Sequence, residues 1–464
     1  GHSAQTVHST NRAPSPLTLQ PRLRPASSPA HSDLVMPARG ASPLALSPPT
    51  RRCQACLTLD SLPSVDSRRS DTLGRQAAAT EGSSDVTDRI NKQRHNSVVP
   101  LKDHADLGDP DDRPDPVAIL TDQNEHRVAE LVPIRHGRMR VTPFTFFRGA
   151  AAIMASDLAR TPSTDLQVQL CGDAHLSNFG LFNGPDRRLV FDVNDFDETT
   201  PGPFEWDLKR LAASVVIAAR NNELTNKEAR TATRASVRRY RETMARAAGL
   251  SPLELHYLRL EVDALTATMS EKRRKRSAAT AAKATRKDSL RALDKLTAVV
   301  DGQRRIVEHP PLITRHDDVI RSEREQLRGF LASYLSTLEP HRAAVLRQYR
   351  FVDIAHKVVG VGSVGTRCLI VLLESQHGAP LFLQFKEATR SVLEPYLGDN
   401  DFDQAGERVV RGQQLMQSAG DILLGWSRYQ RDDDSEADFY FRQLWDGKGS
   451  AEVDQMGPKR LKAY

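Results

Sequence analysis

The chain has 464 residues, enough for two to three domain-sized units. Its 65 lysines and arginines against 59 acids leave a formal charge of +6, too slight and dispersed to point to nucleic acid, which is usually met by a concentrated basic face. No apolar run approaches the roughly eighteen residues of a membrane span, and four scattered cysteines (Cys53, Cys56, Cys171, Cys368) suit a reducing, cytoplasmic setting.

Residues 1–95 are rich in Pro, Ser, Arg and Ala, with almost no aromatics. Such a segment buries too little apolar surface to offset its conformational entropy, and a disordered tail is expected. Cys53 and Cys56 form a lone C-x-x-C within it; no second pair lies nearby to complete a four-ligand zinc site. Order is expected from about Val117. Val141 to Ala159 reads as one helix with an apolar face of Phe144, Phe147, Ala151, Met154 and Leu158. Arg148 sits inside it beside Gly149, as a rim arginine or as a guanidinium aimed at phosphate or a carboxylate, which its bidentate fork suits.

The stretch from Leu166 to Leu211 concentrates the chemistry. An alternating strand (Leu166, Val168, Leu170) runs into Cys171, Gly172, Asp173, His175 and Asn178 on a short loop; a second apolar strand, Leu189 to Phe191, runs into Asp192, Asn194, Asp195, Asp197 and Glu198. Strand, polar loop, strand, polar loop could bring both loops together around a hairpin. Carboxylates gathered there need a counter-charge, most economically a magnesium ion carrying phosphate oxygens. Asp173 and Asn178, five apart, fit the base and metal-ligand positions of a phosphoryl-transfer loop, with Asp195 as second metal ligand and Asp192 as its alternative.

Helices are expected from Trp206 to Asn222, from Lys227 to about Leu265, and from Ser322 to Leu338. The basic run Glu271 to Leu293 reads as a helix with a solvated face, or as a strip that steers an anionic substrate.

From Phe351 the pattern turns to strands. Gly360, Gly362 and Gly365, with Ser363 among them, stand as G-x-G-x-x-G; they are followed by a short aliphatic strand, Leu369 to Leu373, and by another, Leu381 to Phe385, with Lys386 at its end. A dinucleotide loop passes into a helix, whereas strand, glycine loop, strand, lysine is the arrangement that folds over ATP phosphates. Lys386 then needs a carboxylate on the next helix, expected from Gln404 to Ser418. Glu407 has the more fitting separation; Glu394, ahead of the helix-averse Pro395 junction, is the alternative. Asp438 to Leu444 reads as the strand leading to a hinge.

CGDAHLSN resembles the HGDxHxxN catalytic loop of the aminoglycoside phosphotransferase and choline kinase branch of the kinase-like fold, with Cys171 in place of His. NDFDE followed by EWDLKRLAAS is similar to that branch's D-W-E-D-A loop and later D-L-A helix, the aspartates Asp195 and Asp207 being twelve apart as they are there. From about Leu131 to Tyr464 the chain resembles the bacterial family called domain of unknown function 2252, through RHGRMRVTPFTFFRGAAAIMASDLA, QLCGDAHLSNFG, FDVNDFDET, PFEWDLKRLAAS, VGVGSVGTR, LQFKEA and RQLWDGKGSAEVD.

The resemblance implies an α+β, two-lobed, protein-kinase-like fold in circularly permuted order, since Asp173 precedes Gly362 by about 190 residues. A mainly helical C-lobe (96–345) would come first and a small antiparallel-sheet nucleotide lobe (346–464) last. Relatives of the kinase-like kind continue with further helix, so the chain is expected to stop short in its C-lobe. The implied activity is ATP- and magnesium-dependent phosphoryl transfer to a small-molecule or protein acceptor: Asp173 and His175 on the catalytic loop, Arg148 beside it, Asn178 and Asp195 on the metal, Lys386 and the glycine loop on the triphosphate. A catalytically silent nucleotide-binding regulator, a protein adenylyltransferase and a two-metal phosphohydrolase are the alternatives; the last needs a G-N-H type loop, which the sequence lacks.

Overall fold

A computed structural model describes residues 99–464 apart from 268, 286–288, 316–323, 432–434, 445–446 and 448. The expected tail and the Cys53, Cys56 pair lie outside the described residues. The described chain is mixed α+β, and none of its helices is long and apolar enough to cross a membrane.

Helices α1 (Pro116–Glu125), α2 (Val132–Met139), α3 (Pro143–Arg148) and α4 (Ala151–Ala159) come first. The single helix expected from Val141 to Ala159 is thus two. Thr142 caps α3 through a reciprocal bond with Thr145, and the chain breaks at Gly149, where a Cβ would stand 2.8 Å from the Met139 side chain. Arg148 therefore ends a helix, and so projects from a bend instead of from a continuous face.

Strand β1 (Gln167–Leu170) pairs with β4 (Thr200–Pro203), and between them β2 (Phe179–Asn183) and β3 (Leu189–Val193) form a hairpin. The 17-residue helix α5 (Glu205–Asn221) follows. Helix α6 (Asn226–Ala247) starts with a capping box between Thr225 and Glu228. The two pack through Val215, Ala218 and Ala219 against Ala229 and Ala232, small residues that let the helices approach closely. The basic run splits into α7 (Glu271–Thr285) and α8 (Ser289–Leu296), followed by the hairpin of β5 (Thr297–Val300) and β6 (Gln303–Ile306).

The largest sheet is antiparallel and has six strands in the order β11-β12-β10-β9-β8-β7. These are β7 (Ile313–Thr314), β8 (Tyr349–Lys357), β9 (Cys368–Ser375), β10 (Pro380–Ala388), β11 (Gly425–Gln430) and β12 (Glu436–Gln443). Alternation along them sends side chains to two faces. On one face Val371, Leu383, Phe385, Phe439 and Phe441 pack under helices α9 (Arg324–Ser336) and α10 (Pro340–Leu346), with Tyr334 stacked on Phe441 at 3.9 Å. On the other, Ile370, Leu372 and Phe382 pack against Ala292 and Leu296 of α8. The layers that complete this sheet therefore come from chain preceding residue 346, so the sheet unit reaches back to about residue 289. After β12, the two-residue strand β13 (Gly449–Ser450) pairs with β2 of the early hairpin. The last helix, Pro458–Ala463, adds Leu461 to the core of α5 and α6.

Candidate active site

The first loop is fixed from behind. The Asp207 carboxylate, in the first turn of α5, accepts the Cys171 and Gly172 amides at 2.8 and 3.1 Å. Burial pushes this carboxyl up to about 6 against the pull of those two N–H groups. Gly172 has a φ of +83°, and a Cβ there would lie 2.1 Å from the Glu198 carbonyl oxygen. Only glycine lets the two polar loops touch backbone to backbone.

That contact orders the residues that follow. Asp173 is gripped by the Arg210 guanidinium, whose Nε donates to Oδ1 at 2.5 Å while Nη2 donates to the Phe147 carbonyl at 2.9 Å. His175 lies 3.7 Å from the other Asp173 oxygen; burial drives its pKa down to about 4, so it is a neutral, enclosed ring. The Asn178 side-chain amide donates to the Asp173 backbone carbonyl at 2.7 Å, and the Asn178 backbone carbonyl accepts the Asn194 backbone N–H at 2.7 Å. The two loops are stitched together as the hairpin layout implied.

Lys386 enters from the sheet. It lies in register with Cys368 and Tyr440, is 2 % exposed, and forms an ion pair with Asp197 and another, at 3.6 Å, with Asp195. Burial alone would lower the ammonium's pKa; the carboxylates of Asp195 and Asp197 hold it well above its usual value. Asp197 also accepts the Tyr440 hydroxyl at 2.6 Å and the Ser363 hydroxyl, from the glycine loop, at 3.3 Å. Asp195, Asp197, Lys386 and Ser363 thus meet in one place.

The glycine loop is itself held open-backed. Gly360 and Gly365 take φ values of +69° and +97°. Arg127 donates to the Gly362 and Val364 carbonyls at 2.8 and 2.6 Å, and Arg138 donates to the Gly360 carbonyl at 2.7 Å. Loop carbonyls are thereby turned toward these arginines.

Neither glutamate weighed for Lys386 meets it. Glu407 pairs with Arg411 at 3.3 Å one turn along its own helix, α12 (Ala405–Met416), numbered after the short α11 (Glu394–Leu397). Glu394 pairs with Arg408 at 3.4 Å and Arg390 at 3.1 Å. Gly406 explains the difference: a Cβ there would stand 2.3 Å from the Phe439 carbonyl oxygen, so α12 lies flat on β12 and turns Arg408 inward. Arg408, 1 % exposed, donates to the carbonyls of Thr199, Asp197 and Thr389 at 2.5, 2.8 and 2.8 Å. The helix supplies a buried cation to the back of the acidic loop where the sequence had suggested an anion for the lysine.

Asp192 stays apart. It sits opposite Gly180 in the β2–β3 hairpin and accepts the Val193 amide. Burial pushes its carboxyl up to about 6, and no charged residue of the cleft contributes. As to magnesium, no group of three or more His, Cys, Asp or Glu among the described residues could hold a metal unaided. Two carboxylates, Asp195 and Asp197, and the side-chain carbonyl of Asn178, whose NH2 end is turned to Asp173, fit an ion that takes few protein ligands and leaves the rest to water and phosphate.

Glu198 gives a pH signature. Its carboxylate accepts the Val392 amide at 2.8 Å, yet burial pushes it from 4.5 up to about 7. A raised carboxyl contributes stability that is full below pH 4.5 and is lost as pH rises through about 7. Glu198→Gln, which keeps an oxygen for Val392, is expected to gain on the wild type across that window, by on the order of 2 kcal/mol at pH 8. Denaturant melts at pH 5 and 8 measure it; parallel losses in both proteins would show that Glu198 does not titrate there.

Residues 127–464 match DUF2252, described as an uncharacterized protein conserved in bacteria, and the chain belongs to that family. No curated protein and no solved structure matches the chain.

Proposed function

We propose that the protein is an ATP- and magnesium-dependent phosphotransferase with a kinase-like site in circularly permuted order. The observation that carries this reading is the convergence of Lys386, the glycine-loop Ser363 and the Asp195, Asp197 pair from chain segments up to 191 residues apart. A buried lysine beside a glycine loop and an acidic pair is what a triphosphate on a divalent cation requires.

In this reading Lys386 pairs the inner phosphates, and the Gly360 to Gly365 loop covers them. Asn178 and Asp195, with Asp197 beside them, would hold magnesium, which would supply charge neutralisation on the phosphates. Asp173 accepts the acceptor's hydroxyl proton. Arg210 and the Asn178 amide fix the orientation of Asp173, and Asp207 fixes the loop that carries it. His175 acts as packing for Asp173, since a buried neutral ring has no charge to offer.

The test is a thermal-shift screen of nucleotides with and without magnesium, followed by mass spectrometry of products from panels of acceptors. Magnesium-dependent stabilisation by ATP that is lost in Lys386→Met, and a mass gain of one phosphate on an acceptor, are the expected results. No nucleotide stabilisation would overturn the reading. Binding without product would favour a regulator, for which the engagement of Asp197 by Lys386, Tyr440 and Ser363 is the supporting observation. A mass gain of adenylate would make the protein an adenylyltransferase.

A further inference from the structure

The arginines around this site use their donors on the protein itself. Arg127 and Arg138 bond the glycine loop, Arg210 bonds Asp173 and Phe147, Arg408 bonds three carbonyls, and Arg442 bonds Gln384 and Asn194. Arg148 differs in that its guanidinium makes no hydrogen bond or ion pair among the described residues; its Nε is buried without a partner, as are Arg127 Nε, Arg210 Nη1 and Arg408 Nε, whose other nitrogens are bonded. Its position is nonetheless fixed: the Arg148 carbonyl oxygen and the Gly149 Cα would lie 3.2 and 3.8 Å from a Cβ on Gly362, so the middle of the glycine loop rests on this bend. Desolvation lowers its pKa, and the charges that counter this are those of Asp454, Asp173 and Asp195. A largely desolvated guanidinium that feels the charges of Asp454, Asp173 and Asp195 but is bonded to none of them suits a phosphate brought in on a metal ion, the cation offsetting the carboxylates.

We infer that Arg148 clamps the phosphoryl group in transfer, a guanidinium supplied by the chain itself between the proposed base and the proposed metal ligand. The inference rests on the phosphotransferase reading and names the group that meets the terminal phosphate. In the step it serves, the acceptor oxygen bonds to the terminal phosphorus as the bond from that phosphorus to the bridging oxygen breaks. The acceptor proton passes to Asp173, and the electron pair of the broken bond leaves with ADP. Arg148 stabilises the equatorial oxygens, where the negative charge gathers, more than it stabilises bound ADP.

Binding measurements separate these claims without needing the acceptor. The full chain is titrated with magnesium and ADP, with and without aluminium fluoride, a mimic of the phosphoryl group in flight. The wild type is expected to bind ADP at least about a hundredfold more tightly with the fluoride present. Arg148→Met is expected to bind magnesium ADP within about twofold of the wild type and to lose most of the fluoride gain; Arg148→Lys retains part of it, having charge without the fork. The melting midpoint of unliganded Arg148→Met is expected not to fall, because no bond is lost. Failure of the wild type to bind magnesium ADP would overturn the phosphotransferase reading itself. Normal ADP binding with no fluoride gain in the wild type, a full gain in Arg148→Met, or an equal loss of ADP binding in that variant would each overturn the clamp alone.

Discussion

Asp173→Asn is expected to lower turnover by about a hundredfold or more, the usual worth of a positioned base, while magnesium-dependent ATP binding stays within about twofold. Asparagine is the informative replacement because it keeps an oxygen for the Arg210 Nε, which donates to Asp173 at 2.5 Å. Both replacements remove the counter-charge, but alanine would also leave that buried guanidinium without its acceptor and mix a larger folding defect into the kinetics. The nucleotide arm should be untouched, since Lys386, Ser363 and Asp197 make no bond to Asp173. Single-turnover rates and a nucleotide titration on the same preparation check both halves. Unchanged turnover would remove Asp173 from the mechanism.

Arg408→Met is expected to cost about 3–5 kcal/mol, the usual penalty for removing one partner of a buried pair. Methionine fills much of the volume, so the loss reports the charge and its bonds. It would strand the carbonyls of Asp197, Thr199 and Thr389 and leave Glu394, 3 % exposed, with Arg390 as its remaining cation. Glu407→Gln on the same helix is the contrasting case. Its partner Arg411 is half exposed, so the change should stay within about 1 kcal/mol and leave nucleotide affinity alone. Denaturant unfolding of both variants tests the pair together. A large nucleotide defect in Glu407→Gln would restore that residue as the lysine's partner.

Much of the site could be read from local pattern. Alternation points to β1, short apolar runs to β9 and β10, the glycines to the loop between β8 and β9, and the acids after Val193 to the second polar loop. What escaped was set by tertiary contact. Arg127, Arg138 and Arg408 are ordinary arginines in sequence; they become parts of the site because Gly365, Gly360 and Thr199 arrive beside them from far along the chain. Spacing favours Asp195 over Asp192 and is silent on Asp197, and only the register of Lys386 opposite Tyr440 shows why Asp195 and Asp197 are both used. Asp207, noted for its spacing, takes its role from the 2.8 Å bond to the Cys171 amide. The break at Gly149 depends on Met139, a contact that helix periodicity does not register.

The separation of 189 residues between Asp197 and Lys386 has a consequence for biosynthesis. At ribosomal speeds of about 5–20 residues per second, the acidic hairpin leaves the exit tunnel roughly 10–40 s before its neutralising lysine. During that interval the nascent hairpin carries clustered negative charge with no strand to cover it, and it also lacks β13, the third strand of its own small sheet. The surroundings of the hairpin are therefore completed only when the last-made part arrives, and a stalled or prematurely released chain leaves the hairpin without its cap.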